Sequence, residues 1–531
     1  MEPGCPERVS LTVDLLRECV RQDVLSRLRK SFPTTFKTHL GIPPVSPESF
    51  NAFMFEVLAH SSVIGGSDRN EELLPGYELT VADGSPSLRN AVWQVFFRGV
   101  QSGNKSVDAF LAAANGFLQD EGHIKELRTM IDRARQSDAA NPLVCDGIQE
   151  RFMAWVNERL AVCLPSLLSV LQEELTQLQG SFRELCESSL AMMDQSILPA
   201  TKRRRTDGET SHAADISDAL PGCVVVSEDG GKKTVCFSLD PALTAASSVM
   251  RRMNTAHEIR RGHAVKLWRR YFTSDASRSA HRATRDVSLD EDDTDASFAD
   301  LQGVICRRVD GPHNAEAIDA CRIRFNHAVW ILLHRYQTLF GPRSGEGSGW
   351  QLAAPSAVHD MLREVFDVHH ECFASPLNAH HSTFNSLFPD VDRPFGSRGS
   401  FFADESFSGG GAYEVGPPYD VGVMERMVEK LLSHLSTAKE SGVSLSFYLV
   451  LPDWDVSSIN RLFNCPFHQW SFTLPKRHHR YCSGLQHQRK NKHQYVLCET
   501  PTLMMGLETR PTTDRPVDPD VLKSLIKAWM P

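Results

Sequence analysis

Leu445-Ser446-Phe447-Tyr448-Leu449-Val450-Leu451 is a short apolar run interrupted only by Ser446. A helix-period pattern over 421–435 precedes it, and a second short apolar run lies upstream at 365–373. Strand, helix, strand in that order predicts an α/β domain with a parallel sheet, which we bound at 341–531. The N-terminal part has a different texture. Leu15, Leu16, Cys19, Val20, Val24, Leu25 and Leu28 recur at spacings of three and four, as on a helix with one buried face. The same period returns over 88–100, 107–118 and 148–193, so 1–197 reads as a helical region.

At 531 residues the chain is long enough for two to four domains. Lys and Arg number 57 against 66 Asp and Glu, a formal charge of -9, and 41% of residues are hydrophobic. That composition excludes wholesale disorder and a uniformly basic coat for DNA. Residues 1–10 hold no apolar stretch, so no secretory signal is expected. Runs such as 329–333 and 445–451 fall well short of the roughly 20 residues that span a bilayer. The 13 cysteines are scattered, odd in number and without a C-x-x-C pair, which fits reduced thiols inside the cell.

Residues 198–222 read as a polar, flexible linker, and Lys202-Arg203-Arg204-Arg205 within it as a nuclear-import signal. Apolar runs at 223–226 and 234–239 around Asp229-Gly230-Gly231 predict a hairpin, opening a region that extends to 340. From 247 to 285 ten Lys and Arg face only Glu258 and Asp275, a local excess of eight positive charges. Arg251, Arg252, Arg261, Lys266, Arg269 and Arg270 are therefore expected to face a polyanion. Residues 286–300 reverse the sign and read as an acidic loop.

Three segments carry candidate chemistry. Glu371-Cys372-Phe373-Ala374-Ser375-Pro376-Leu377-Asn378 ends an apolar run in polar groups, at the strand end where open α/β sheets bind ligands. Tyr413-Glu414-Val415-Gly416-Pro417-Pro418-Tyr419 places two prolines and an aromatic just before a helix. A flipped purine would stack on Tyr419 and donate its amine to the carbonyls around Gly416 and Pro417. Residues 461–495 hold seven Lys or Arg, Lys476 and Arg477 among them, five His including His487, and no acid. Trp470, Phe472, Tyr481 and Tyr495 interleave with these charges, the footprint of a single-stranded nucleic acid site. The competing zinc reading, from Cys465, His468, Cys482 and His487, matches no standard ligand spacing, so no metal is expected. Gly345-Glu346-Gly347-Ser348-Gly349 follows a helix rather than a strand, which argues against a nicotinamide loop.

These residues resemble the phosphorylated-CTD-interacting-factor family, the cap-specific adenosine N6-methyltransferases. The resemblance runs from about 328 to about 494. It rests on Tyr336 to Gly341, Glu346 to Gly349, Glu371 to Asn378, Phe388-Pro389-Asp390, Phe395 to Gly399, Phe447 to Trp454, and Tyr481 to His487. It implies a Rossmann-like methyltransferase core preceded by an α-helical domain, S-adenosylmethionine as cofactor, and capped mRNA bearing a cap-adjacent 2'-O-methyladenosine as substrate in the nucleus. By resemblance, Glu371, Phe373, Ser375, Pro376 and Asn378 lie near the cofactor, and Arg398 joins the RNA-binding set.

Gly416-Pro417-Pro418-Tyr419 aligns with the family's Asn-Pro-Pro-Phe, as the catalytic turn. Gly416 removes an amide that would accept from the target amine, and one such bond is worth roughly 1–3 kcal/mol. Three outcomes are open: Tyr419 supplies the missing acceptor through its hydroxyl, the vacated space admits an N6-methylated amine and yields the N6,N6-dimethyl form, or the chain is a silent capped-RNA-binding, transcription-associated homologue. None of the eight tryptophans gives the spacing of a WW module, so phospho-CTD recognition is not expected.

Overall fold

The computed structural model describes residues 6–59, 72–97, 100, 106–202, 223–274, 296–310, 315–341, 348–489, 493–509 and 517–530. Within these ranges 45, 76–78, 82–83, 138, 140 and 254–255 are excepted. Outside the described residues lie most of the expected linker, most of the expected acidic loop, and Arg278, Arg282, Arg285, Lys490 and Lys492.

The helical region comprises Pro6–Leu40, Glu48–Ala59, Pro86–Phe97, Val107–Leu118, Glu121–Gln136 and Asp146–Lys202. Ser106 and Asp120 cap two of these by accepting the N–H groups of Ala109 and His123. The seven residues from Leu15 to Leu28 that set the period of the first helix are all buried. Helix Asp146–Lys202 runs past 197, so the expected linker begins as helix. Among the described residues it also holds the one window, within Gly147–Met192, long and apolar enough to cross a membrane. Its Leu160, Leu164, Leu167, Leu171 and Leu175 are buried in the helical core, the pattern of a core helix.

Strands β1 (Val224–Asp229), β2 (Thr234–Leu239) and β3 (Ala256–Arg260) form an antiparallel sheet in that order. The first two are the expected hairpin, and Asp229 accepts the N–H groups of Gly231 and Lys232 at its turn. The basic stretch 251–270 is not one helix. Buried His257 and Ile259 alternate with exposed neighbours, so 256–260 pairs as β3, and helix Arg261–Ser274 begins only after it.

The main sheet contains β4 (His370–Ala374), β5 (Thr383–Ser386), β6 (Gly411–Val415), β7 (Leu445–Pro452) and β8 (His468–Leu474). Strands β9 (Arg480–Cys482) and β10 (Tyr495–Leu497) pair separately, and β11 (Thr502–Glu508) completes the sheet. Its order is β5-β4-β6-β7-β11-β8. Strands β5, β4, β6 and β7 run parallel, while β11 is antiparallel to both neighbours. β7 reads as a near-continuous apolar run because both its faces are covered. Phe447, Leu449 and Leu451 pack with Met427 and Leu431 of helix Val421–Glu440, and Tyr448 and Val450 enter a second core with Trp470 and Trp529. The expected run 365–373 is split. Helix Ser356–Phe366 continues through Val365, Asp367 turns left-handed at φ 59°, and β4 starts at His370.

A buried ion network joins the helical region to the sheet. Arg335, on helix Ala315–Phe340, donates to Glu18 at 2.6 and 2.9 Å and to Asp390 at 2.9 and 3.2 Å, while Arg21 also pairs with Glu18. One core runs from Leu15 through Val235 and Phe325 to Phe388 and Val423, so the helices pack directly against loops that carry the site.

Candidate active site

β4 is followed by β5 on one side and, across the sheet, by β6 on the other, so the chain changes direction between β4 and β6. In open α/β sheets the crevice beyond the carboxyl ends at such a point is where ligands bind. A solvent-connected cleft of about 1130 Å³ lies there. Glu371, Phe373, Ser375 and Asn378 from the end of β4, and Gly416 to Tyr419 from the end of β6, all line it. Two segments read separately in the sequence thus meet. Pro376 does not line the cleft and is buried behind the turn.

The turn after β4 is shaped by its own polar groups. Asn378 Oδ1 accepts from Ser375 N at 2.7 Å and Ser375 Oγ at 2.9 Å, and its amide donates to the Gln351 carbonyl. Glu371 Oε1 accepts the backbone N–H groups of His380 and His381, both at 2.7 Å. Behind the turn Arg270 Nη2 donates to the carbonyls of Ala379 (2.8 Å) and His381 (2.7 Å). Lys266 Nζ reaches the Leu377 carbonyl at 3.5 Å, and burial, with Arg270 nearby, lowers its pKa to about 7.

The basic stretch therefore divides into buried and exposed members. Arg270 is buried and clamps the turn after β4, and Arg261 is buried between Glu228 and the Ala296 carbonyl. His487 is buried near His263 and Lys266, where burial lowers its pKa to about 4. None of these three faces a polyanion, and Lys266 and Arg269 are only partly exposed. Arg251, Arg252, Arg398, Lys476 and Arg477 are exposed, with Arg477 paired to Glu499 at 2.8 Å. Trp470 and Tyr481 belong to the core rather than to a stacking platform, whereas Tyr495 is exposed. Among the described residues no three His, Cys, Asp or Glu side chains are grouped to hold a metal. Replacing Arg270 by Ala strips charged donors from two buried carbonyls, so we expect about 3 kcal/mol of destabilisation by chemical denaturation.

After β6, Asp420 caps helix Val421–Glu440, accepting from Val423 N at 3.0 Å and from Ser87 Oγ of the helical region at 3.0 Å. Burial raises its pKa to about 7. The Tyr419 hydroxyl lies 2.6 Å from that of Tyr481, which continues to Thr502 at 2.9 Å. The hydroxyl is thus held in a chain of three, Tyr419, Tyr481 and Thr502. The space above Gly416 is not vacant: a Cβ there would lie 2.7 Å from Glu414 Oε1. The expected room for an extra methyl is occupied by this carboxyl.

Several lining residues were not singled out from the sequence. Phe55, Tyr336, Trp350, Phe401 and Phe402 give the cleft aromatic walls, with Phe55 and Trp350 stacked at 4.9 Å. Among the described residues Gln351 Oε1 and both ring nitrogens of His359 are buried without a hydrogen-bond partner, and both residues border the cleft. Aromatic walls with a few unpaired polar groups suit a nucleoside carrying a polar tail. S-adenosylmethionine fits that description, and Phe373, Phe401, Gln351, His359 and the Ser375–Asn378 turn would hold it.

Residues 312–484 match the family model described as "Phosphorylated CTD interacting factor 1 WW domain". Proteins named mRNA (2'-O-methyladenosine-N(6)-)-methyltransferase from Mus musculus and Homo sapiens are each 34% identical over 197 residues. Those alignments cover 36% of this chain and 27% of each relative, so the chain spans about a quarter of the length of the curated relatives it matches. The model's description and range revise the expectation about tryptophans, because Trp330 and Trp350 within it stand twenty positions apart. Neither lies on a strand: Trp330 is buried in helix Ala315–Phe340, and Trp350 lines the cleft. From the long helix before β4 to β9, where the cleft is built, this chain is similar to the phosphorylated-CTD-interacting-factor family.

Proposed function

We propose that the chain is an S-adenosylmethionine-dependent methyltransferase with a Rossmann-like core, acting on N6 of the cap-adjacent 2'-O-methyladenosine of mRNA. The observation that carries this reading is the meeting of the β4 strand-end motif with Gly416 to Tyr419 in one cleft at the point where the sheet changes direction. The likeness to relatives named for that reaction supports it. Bound S-adenosylmethionine would supply an activated methyl group, whose bond to sulfur breaks as one to nitrogen forms, with one amine proton released to water. The protein's task is then positioning and exclusion of water. The Pro417-Pro418 turn fixes the backbone beside the amine, Tyr419 offers a ring face to the base, and the aromatic walls keep solvent out.

Exposed Arg251, Arg252, Arg398, Lys476 and Arg477 are proposed to carry RNA phosphates, and Lys202 to Arg205 to direct the chain to the nucleus, where transcription machinery is its setting. The carboxyl over Gly416 favours a monomethyl product over the dimethyl form. Labelled methyl transfer to capped RNA beginning with 2'-O-methyladenosine, against uncapped RNA and capped RNA beginning with guanosine, tests the reading. Transfer to the first RNA alone is expected. Cofactor and cap binding without transfer would favour the silent homologue.

A further inference from the structure

Glu414 lies on β6, directly opposite Glu371 of β4 in the parallel register, and only 4% of its surface is exposed. Its carboxyl borders the cleft and its oxygens open into it, and no hydrogen bond holds it to the protein among the described residues. A carboxyl that lines a ligand cleft without a bond to its own protein is placed to pair with a group that the ligand brings. Among the described residues no hydrogen bond joins it to Glu371, whose Oε1 is engaged by two backbone N–H groups. Burial, and then the Glu371 charge, push the Glu414 pKa well above the usual carboxylate range. A protonated carboxyl presents one acceptor oxygen and one O–H donor side by side. The Watson–Crick edge of adenine presents the complement: the N6 amine donates and N1 accepts. A carboxamide pairs with adenine by the same donor-acceptor logic.

Position decides what the carboxyl meets. Oε1 sits 2.7 Å from where a residue-416 side chain would begin, so Gly416 and Glu414 are a matched pair: the glycine admits the carboxyl to the floor of the turn. Resting on the methyltransferase reading above, we propose that the Glu414 carboxyl, folded over Gly416, is the group that grips the N6 amine and N1 of the target adenine. It is thus a catalytic and base-selecting residue of this chain, and Gly416 marks a relocated polar group rather than a lost one.

The test compares the full chain with Glu414→Gln, which keeps an acceptor and a donor, and Glu414→Ala, which keeps neither. Cofactor binding by calorimetry first establishes that each variant retains its fold. Affinity is then measured for capped RNA whose first nucleotide is 2'-O-methyladenosine, and for the same RNA carrying 2'-O-methylated purine riboside, which lacks the amine. The wild type should prefer the adenosine RNA by about tenfold, Glu414→Gln should keep most of that preference, and Glu414→Ala should lose it. In methyl transfer, Glu414→Ala should lose about a hundredfold in kcat, and Glu414→Gln no more than about tenfold. Undiminished preference and turnover in Glu414→Ala would overturn the proposal, as would a wild type indifferent to the amine. A wild type that binds both ligands and transfers nothing would instead sink the methyltransferase reading. The amine preference would still decide the role of Glu414.

Discussion

Arg335→Met is expected to destabilise the fold by about 3–5 kcal/mol, the cost of stranding buried partners of a removed charge. Arg335 is 1% exposed and binds Glu18 and Asp390 at once, joining helix Pro6–Leu40 to the segment after β5. Methionine fills similar volume, so the loss is electrostatic rather than a cavity. Denaturant titration checks the magnitude, and a loss below about 1 kcal/mol would contradict it. Because Glu18 and Arg335 share one network, Glu18→Gln in the Arg335→Met background should cost less than it does alone. The network also has a pH signature. Arg21 and Arg335 outweigh the burial penalty and lower the Glu18 pKa to about 2. A depressed carboxylate stabilises the fold above its unfolded pKa and loses that contribution as pH falls through about 2. Acid unfolding of the wild type should therefore approach that of Arg335→Met at the low end.

Tyr419→Ala should lower kcat/KM for capped RNA by about ten- to a hundredfold while leaving cofactor affinity nearly unchanged. A base stacked on an aromatic ring gains roughly 1–3 kcal/mol, and that gain is what the substitution removes. Tyr419→Phe separates the ring from the hydroxyl. Since the hydroxyl is bonded to Tyr481, its loss should appear as a modest drop in thermal stability with most activity retained. Equal activity of Tyr419→Ala and wild type would place the adenine elsewhere in the cleft.

The helix 421–435 and strand 445–451, the hairpin and the helical region were legible because each rests on hydrophobic period, whereas β6, the strand that precedes that helix, was not. The two motifs that line the cleft were legible as strings, and their meeting followed from the sheet order. The basic stretch was not legible in the same way. Charge counting cannot separate Arg251, which faces water, from Arg270, whose guanidinium satisfies carbonyls of the turn after β4. Nor could it show β3, where only the alternation of His257 and Ile259 marks the strand. Glu414 stood in a quoted motif without a role, because the direction of a strand side chain depends on register with β4 and β7. Gly416, taken alone, read as a loss for the same reason: its partner is set by the fold of the side chain two residues earlier.

The most direct measurement is mass analysis of the first nucleoside after the purified chain, S-adenosylmethionine and capped RNA beginning with 2'-O-methyladenosine are incubated together. One added methyl on N6 is expected, dependent on the cap and greatly reduced by Tyr419→Ala. An unmodified nucleoside, in the presence of bound cofactor and bound cap, would contradict it.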